Sequence, residues 1–462
     1  MIADDSSAGR SQDPLARALN AYERGDVATA RELCVALLDA EPANAVALTL
    51  MGRILKSRSQ FEEAIPLLER SLKIEPNAKA AASLADCLLR VGRLDEGLQH
   101  IQQVIAAYPD NFEALMLKAA ILHGQRKFDS ALECMHGAGM LAPGSHLVAA
   151  RQGCILAELG QYDAAEERFR EAARLSDSFR HCGLISFRRS VWRQIAPQLG
   201  APATEEFAAL RPADVHAPYD AVVMACCDAQ YFYKYGVTFV NSYAQNAAHG
   251  KLLHLHLLDP DEGFAGYLEA LIARLNLRNV AVTYEYAPID EAPDFNLRRT
   301  FYSCARFLRM GALLAHYRGT IACFDIDTVF EAPIDDMLAR LESVDVGLIQ
   351  REPADSPWLD IVANVVIARD TAASSRYFSA VGNFIRHFVG RGKLFWHLDQ
   401  IALYCVLKMM QRFDSPPRVG PLARSARAAV WHIGNPYAYR LKESRVARYQ
   451  LAELAPQPGR SN

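Results

Sequence analysis

Two carboxylates that follow an apolar run are the residues of this chain whose types and spacing point most directly to chemistry. Asp325 and Asp327 stand with one residue between them, directly after the run 321–324. Because residues i and i+2 of a strand point to the same side, we expect both carboxylates to reach one hard divalent cation. Such a cation can bridge a diphosphate and neutralise the charge that grows on it when it leaves. An isolated Asp-x-Asp is a weak signal, and its position at the end of a strand strengthens it.

The segments around this pair predict a nucleotide-binding α/β fold. Short apolar runs alternate with longer amphipathic ones, a pattern typical of a mainly parallel sheet with crossover helices. The predicted strands are Ala221–Cys226, Leu252–Leu258, Val280–Tyr286, Thr320–Phe324, Val346–Ile349 and Ile361–Ala368. The predicted helices are Tyr233–Ala247, Phe264–Leu275, Tyr302–His316, Ser374–Phe388 and Leu398–Met410. Ligands of such sheets bind beyond the carboxyl ends of the strands, where we expect the site.

The first part of the chain carries an internal repeat. Small residues recur in phase at Ala18, Gly52, Ala85, Ala119 and Gly153, and again at Ala30, Ala64, Gly97, Ala131 and Ala165. Prolines close four of the five units, at Pro42, Pro76, Pro109 and Pro143. Small residues where two helices cross, with proline after the second helix, predict one helix pair per unit. The pattern resembles the tetratricopeptide repeat over residues 11–179, which implies a protein partner or self-association through an α-solenoid.

The remaining boundaries follow from breaks in these patterns. Residues 1–10 are predicted to be a disordered start, and residues 180–218 a connecting segment with a helix around Ile185–Ile195. The α/β domain is predicted over residues 219–445, with a tail at 446–462. Two domains agree with a length of 462 residues, which is too great for one ordinary core.

Composition narrows the class of protein. A formal net charge of -3 without a basic stripe argues against a nucleic-acid partner. The start lacks the features of a secretory signal, and no uncharged apolar run approaches the ~20 residues of a transmembrane helix. The ten cysteines contain no Cys-x-x-Cys pair and indicate reduced core residues. We therefore expect a cytoplasmic protein without a transmembrane segment.

Several segments of the second half carry a resemblance to a known family. They are Val222–Tyr231 with Ser242, Tyr302–Phe307, the Asp325/Asp327 pair, Trp396–Gln400 and Trp431–Gly434. In this order, over residues 220–439, they resemble the retaining, family-8-type glycosyltransferases of the GT-A fold. The resemblance implies transfer of a hexose from a UDP-sugar to a hydroxyl of a glycan or protein acceptor, with retention at the anomeric carbon.

The same resemblance implies roles for individual residues of the nucleotide site. The segment Val222–Tyr231 would hold the uracil base and the ribose, with Asp228 and Tyr231 in the places that contact the base. Arg306 would reach the nucleotide sugar from a helix start, together with Asp325.

Further roles concern the sugar and the metal. Asp399 and Gln400, at the start of a helix, would position the donor sugar or stabilise the cation that develops on it. Asp325, Asp327 and His432 would hold Mn²⁺ or Mg²⁺, and oxygen-rich ligation with one imidazole favours manganese.

Two segments depart from the family pattern. Val362-Ala363-Asn364-Val365 stands where the family usually has Asn-Ala-Gly before a valine, so the close backbone approach that glycine allows is altered. Asn435-Pro436-Tyr437 replaces Lys-Pro-Trp, so contacts of that segment cannot be transferred to this chain.

Two other functions remain open. A nucleotidyltransferase would share the Asp-x-Asp strand, but it normally has a glycine-rich phosphate loop after the first strand, and Cys227–Tyr235 contains neither glycine nor arginine. A repeat scaffold with a degenerate sugar-nucleotide-binding domain is the non-enzymatic alternative.

Overall fold

A computed structural model describes residues 13–196, 208–214, 218–287, 295–350, 361–422, 430–432 and 448–451, with the backbone alone for 208–214, 295–297 and 431–432. The chain divides into two compact units, Met1–Gln161 and Tyr162–Asn462. The division falls inside the fifth predicted repeat, between its two helices. The predicted disordered start, residues 1–10, lies outside the described residues.

The first unit is a succession of helices with the predicted repeat. They are α1 Pro14–Glu23, α2 Val27–Ala40, α3 Ala45–Ser57, α4 Phe61–Ile74, α5 Ala78–Arg90, α6 Leu94–Ala107, α7 Phe112–Gly124, α8 Phe128–Leu141 and α9 His146–Glu158. The first helix of every pair begins after a side chain that accepts a hydrogen bond from the first turn, namely Asp13, Asn44, Asn77, Asn111 and Ser145. The repeated caps explain why each pair begins at a regular interval.

Small residues lie where the helices approach each other most closely. Ala64, Ala85 and Ala131 are fully buried, as the repeat pattern predicts. At Gly52, in α3, a Cβ atom would lie 2.6 Å from Cγ of Leu68 in α4. The packing of α3 on α4 therefore requires glycine at this position.

Replacement of Gly52 by alanine should destabilise the chain, because the added methyl group overlaps Leu68 and packing must shift at a cost of about 1–3 kcal/mol. Gly137→Ala in α8 is a matched control, since its Cβ would meet Leu115 at an ordinary 3.6 Å and alanine favours a helix. Urea unfolding followed by circular dichroism measures both effects. Equal stability of the two variants would contradict the close α3–α4 packing.

The second unit combines helices with a mixed sheet. Its helices are α10 Tyr162–Leu175, α11 Arg189–Ile195, α12 Ala229–Tyr231, α13 Val237–Asn246, α14 Phe264–Arg274, α15 Phe295–Tyr317, α16 Asp335–Ala339, α17 Ala372–Val389 and α18 Leu398–Phe413, with a 3₁₀ helix at Asp177–Leu184 and a π-helical turn at Phe232–Gly236. Its strands are β1 Ala208–Asp214, β2 Ala221–Asp228, β3 Lys251–Leu258, β4 Val280–Glu285, β5 Thr320–Phe324, β6 Thr328–Phe330, β7 Val346–Gln350, β8 Ile361–Ala368, β9 Val419–Pro421 and β10 Val430–His432.

The strand order of the large sheet is β1-β4-β3-β2-β5-β8-β7-β9. The central run β4-β3-β2-β5 is parallel, and so is β7 with β9, whereas β1–β4, β5–β8 and β7–β8 are antiparallel. The prediction of a mainly parallel sheet therefore holds for its centre, and the sheet as a whole is mixed. A separate short ribbon pairs β10 with β6.

The helix α10 belongs to the second unit because its polar side chains bind other parts of that unit. The buried carboxylate of Glu166 accepts hydrogen bonds from the backbone N–H of Phe187 and from Arg188. Arg412, near the end of α18, donates to both carboxylate oxygens of Asp163 at 3.0 and 3.1 Å. The predicted boundary of the repeats at residue 179 thus differs from the division into compact units after Gln161.

A residue of the predicted tail also packs against the second unit. Tyr449 is buried, and its backbone carbonyl accepts a hydrogen bond of 2.8 Å from the Asn241 side chain in α13. This part of the residues predicted as a tail is therefore packed into the second unit.

A buried polar chain holds α15 on the sheet. Tyr317 and Thr283 bind His254, Thr283 also binds His256, and His256 and Arg309 bind the carboxylate of Glu285. Burial lowers the pKa of His254 to about 3, so its ring is neutral at pH 7. Burial favours protonated Glu285, but the hydrogen bonds from His256 and Arg309 outweigh it and lower the pKa of Glu285 to about 2.

Glu285→Gln should therefore remove a pH-dependent part of the stability. The pKa of Glu285 is lower in the folded chain than its ordinary 4.5, so its contribution is present above pH 4.5 and is lost as the pH falls toward about 2. The difference in unfolding free energy between wild type and E285Q should be about 2 kcal/mol at pH 7, a modest value because the side chain is partly exposed. It should be smaller at pH 3, because Glu285 of the unfolded chain is then largely protonated. Urea titrations at both pH values measure it, with the exposed Glu262→Gln as control. A difference that does not change with pH would contradict the assignment.

Candidate functional site

A buried arginine brings three of the predicted site residues together. Arg306, from the middle of α15, is 5% exposed and donates hydrogen bonds to Asp325 and, at 3.2 Å, to Oδ2 of Asp399. Asp325 follows β5, and Asp399 lies in the first turn of α18. The prediction that α15 begins near Tyr302 is wrong, because the helix begins at Phe295. Arg306 therefore reaches the site from inside a long helix.

Arg306, Asp325 and Asp399 form a triad whose charges act strongly on one another. Asp399 is 4% exposed, and burial raises its pKa, while Arg306 opposes that effect. Burial alone would lower the pKa of Arg306, but Asp325 and Asp399 raise it above its ordinary value. The guanidinium is thus a permanent cation between two carboxylates that come from different elements.

The start of α18 has an unusual backbone. His397 precedes the helix with φ 73°, a left-handed conformation that residues other than glycine rarely adopt. Its ring Nδ1 lies 3.2 Å from Nε2 of Gln400, and Asp399 accepts a hydrogen bond from the Gln400 backbone N–H. Because Asp399 is inside the first turn, it is not the residue that precedes the helix. Asp399 and Gln400 therefore both lie in the first turn of α18.

Asp325 and Asp327 follow β5, which has its predicted bounds, and lie in a turn. The strand β5 ends at Phe324, and the backbone N–H of Thr328 donates to the carbonyl of Asp325 at 3.0 Å. Both carboxylates are half-buried, while Ile326 between them is buried in the core. The i, i+2 geometry of a strand does not apply, and the turn itself places the two carboxylates.

The end of β2 lies beside this turn. Asp228 accepts a hydrogen bond of 2.9 Å from the backbone N–H of Tyr231 and so begins the short helix α12. Burial and the nearby carboxylates of Asp327 and Asp325 raise the pKa of Tyr231. Since β2 and β5 are adjacent and parallel, their carboxyl ends bring Asp228, Tyr231 and the two aspartates to one edge of the sheet.

The described residues place only the backbone of His432. It lies in β10, opposite Thr328 of β6 and therefore close in register to Asp327. Within the part of the chain that the structure describes, no group of three His, Cys, Asp or Glu side chains is arranged to hold a metal ion. The role of His432 as third ligand stays a prediction.

Two further residues at this edge, Asp259 and Arg299, were missed from sequence. Asp259, directly after β3, accepts a hydrogen bond of 2.6 Å from the hydroxyl of Tyr302. Burial raises the pKa of Asp228, and the charge of Asp259 raises it further. The guanidinium of Arg299 lies 4.2 Å from the ring of the exposed Trp396. The rule that site residues follow strands could have found Asp259, whereas nothing in the local pattern indicates the Arg299–Trp396 pair.

Removal of the Arg306 guanidinium should greatly reduce the stability of the chain. Arg306→Met leaves Asp399 buried without its cation, which should destabilise the chain by about 3–5 kcal/mol. The double variant Arg306→Met/Asp399→Asn removes the unpaired charge and should recover part of the loss. Chemical denaturation of the single variants and the double variant measures the coupling, and additive effects would show that the pair is not coupled.

Comparisons with known proteins identify the repeats. Two family models described as tetratricopeptide repeat match the chain, one over residues 21–87 and 55–121 and the other over residues 148–179. The N-terminal region therefore consists of tetratricopeptide repeats, as predicted. A protein described as Protein CTR9 homolog, from Arabidopsis thaliana, is 32% identical over 95 residues, which are 20% of this chain and 9% of that protein. The chain thus spans less than a tenth of that relative's length.

The similarity to solved structures extends over somewhat more than a third of this chain. MamA 41-end from Desulfovibrio magneticus RS-1 is 22% identical, with a TM-score of 0.33, and the match covers 36% of this chain and 97% of that one. YrrB, described as a TPR protein with an unusual peptide-binding site, is 16% identical with a TM-score of 0.33, over 37% of this chain and 88% of that one.

No helix among the described residues is long and apolar enough to cross a membrane. All ten cysteines carry thiols rather than disulfides, and every one except the half-buried Cys226 is buried.

Proposed function

We propose that the second unit transfers a hexose from a UDP-sugar to a hydroxyl acceptor, with retention of the anomeric configuration, in a metal-dependent reaction. One observation carries this proposal: Arg306 joins Asp325, at the end of β5, to Asp399, at the start of α18. The family resemblance assigns these three residues to one sugar-nucleotide site. Their contact is a tertiary arrangement that the resemblance would require and that local patterns do not impose.

The nucleotide end of the donor would lie at the end of β2. Tyr231 is partly exposed and offers a ring on which a base can stack, and the half-buried Asp228 offers a carboxylate that can accept from an imide N–H. Asp259, held by Tyr302, adds a second acceptor at the same edge. Acceptors beside an aromatic ring suit a uracil and a ribose.

The diphosphate end would lie at the turn after β5. Asp325 and Asp327 supply carboxylate oxygens from one turn, and β10 runs beside β6 with the backbone of His432 opposite Thr328. Two carboxylates with an imidazole are a donor set that suits Mn²⁺ or Mg²⁺. When bound, the ion would neutralise charge on the leaving diphosphate.

The transfer step needs a stabilised cation at the anomeric carbon. The bond from C1 to the phosphate oxygen breaks, the bond from C1 to the acceptor oxygen forms on the same face, and the acceptor proton passes to the departing phosphate. Asp399 is buried and bound to Arg306, so it suits electrostatic stabilisation and positioning rather than attack on C1. Gln400, beside it, would hold a sugar hydroxyl.

The repeats would bind a protein. Tetratricopeptide arrays expose a concave surface that holds a peptide or another subunit. The partner would be the acceptor, a protein that works with the second unit, or a second copy of the chain. The comparisons favour this part of the function, and they also favour the alternative in which the whole chain is a repeat scaffold with a degenerate second unit.

Calorimetry with UDP in the presence and absence of Mn²⁺, followed by a screen of UDP-sugars for hydrolysis, separates the two functions. The enzyme should bind UDP more tightly with Mn²⁺, and Asp325→Asn and Asp327→Asn should each lower hydrolysis by about a hundredfold or more, because charge neutralisation at the leaving group is lost.

Asp336→Asn, a substitution of an exposed carboxylate in α16, is the matched control and should keep wild-type rates. Absence of UDP binding under both conditions would support the scaffold. Wild-type hydrolysis by both Asp325→Asn and Asp327→Asn would refute the metal site.

A further inference from the structure

Asn364 places a polar side chain beside the triad, at the position where the resembling family has glycine. Its backbone carbonyl accepts a hydrogen bond of 3.0 Å from the N–H of Asp325, so the pairing of β8 with β5 continues one residue beyond Phe324. Asn364 and Asp325 are therefore direct neighbours across the sheet.

The face of the sheet on which Asn364 lies follows from alternation along the strands. Phe324 and Val365, paired with each other, belong to the core that contains Phe239 of α13 and Leu268 of α14. Successive strand residues point to opposite faces, so Asn364 lies on the face opposite to Val365, as does Cys323 next to Phe324. Arg306 interacts electrostatically with Cys323 and binds Asp325, which places Asn364 on the side of the triad.

The strand β8 is irregular at this point. Leu348 of β7 pairs with Val366, but the next residue, Ile349, pairs with Val362. The intervening residues, Asn364 among them, have no counterpart in the register of β7. The pairing of β8 with β5 stays regular as far as Asn364, so the irregularity affects only the β7 side, and bulges of this kind are common next to active sites.

Two buried polar atoms at this place have no hydrogen-bond partner among the described residues. They are Oδ1 of Asn364 and Nε of Arg306. An unpaired buried acceptor is costly, and it requires an O–H or N–H group. A diphosphate at neutral pH offers neither, whereas each hydroxyl of a hexose can donate to the amide oxygen and can also accept from a guanidinium.

We infer that Asn364 is a specificity-determining residue for the donor sugar, and that its side-chain oxygen accepts a hydrogen bond from one hydroxyl of the hexose. This inference rests on the proposed function and adds to it the group that distinguishes one UDP-hexose from another. A hexose without a hydroxyl at this place leaves the buried amide oxygen unpaired, which is how a site rejects the wrong stereoisomer.

The experiment compares UDP with UDP-glucose and UDP-galactose by calorimetry in Mn²⁺, for wild type, Asn364→Ala and Asn364→Gly. UDP lacks the hexose, so its affinity should not change. The affinity for the preferred UDP-hexose should fall about five- to tenfold in both variants, and the preference between the two sugars should shrink. Asn383→Ala, which removes an asparagine that binds the carbonyl of Ile195 from α17, is the matched control and should change neither affinity.

A second arm identifies the hydroxyl. Among UDP-hexoses that lack single hydroxyls, one should bind wild type five- to tenfold more weakly than the parent sugar, and Asn364→Ala should bind that analogue and the parent equally. Unchanged UDP affinity shows that each variant keeps a folded site.

The outcomes separate the two proposals. No binding of UDP to wild type refutes the proposed function itself. Binding of UDP with an unaltered UDP-hexose to UDP ratio in Asn364→Ala and Asn364→Gly overturns the role of Asn364 alone. An equal loss for UDP and UDP-hexose also overturns it, because the side chain would then act on the part of the ligand that both molecules share or on the metal.

Discussion

The buried guanidinium of Arg306 is the interaction on which the candidate site depends. Two carboxylates held in the same buried place repel each other unless a cation lies between them. Asp325 reaches this place from the end of a strand and Asp399 from the first turn of a helix, so the arginine joins elements far apart in sequence. One turn later in the same helix, Arg309 forms an ion pair with Glu285 of β4. The two arginines thereby fix α15 to the sheet at two points. The position of α15 therefore decides where Arg306 lies relative to the carboxyl ends of β2 and β5, the edge of the candidate site.

Much of the architecture could be predicted from sequence because it follows from periodicity. The helix pairs of the first unit were predicted from small residues in phase, and β5 and β8 were predicted with their bounds, since apolar runs are the strongest signal that a chain carries. The short strands β6, β9 and β10 were missed because three residues contain no period. The burial of Arg306 could not be predicted from residues, since a helical arginine is usually solvated and its partners lie 19 and 93 positions away. The resemblance alone selected it.

The boundary between the two compact units shows how a repeat can end. The last helix of a solenoid has an outer face that no further repeat covers. Here α10 retains the repeat pattern, yet Asp163 and Glu166 bind Arg412, Phe187 and Arg188 of the second unit. These polar bonds make the helix part of the second unit's own structure. A cut at residue 179, where the periodicity ends, would separate α10 from these partners.

The two outer strands of the large sheet affect how the protein associates. An outer strand exposes unpaired N–H and carbonyl groups, and these can extend a sheet into a neighbouring molecule. The outer strand β1 contains Pro212, which has no N–H, and its register with β4 shifts twice. At the opposite side β9 is three residues long and ends at Pro421. Both margins thus discourage growth of the sheet into a neighbouring molecule by strand addition, which protects the protein from β-aggregation at these strands.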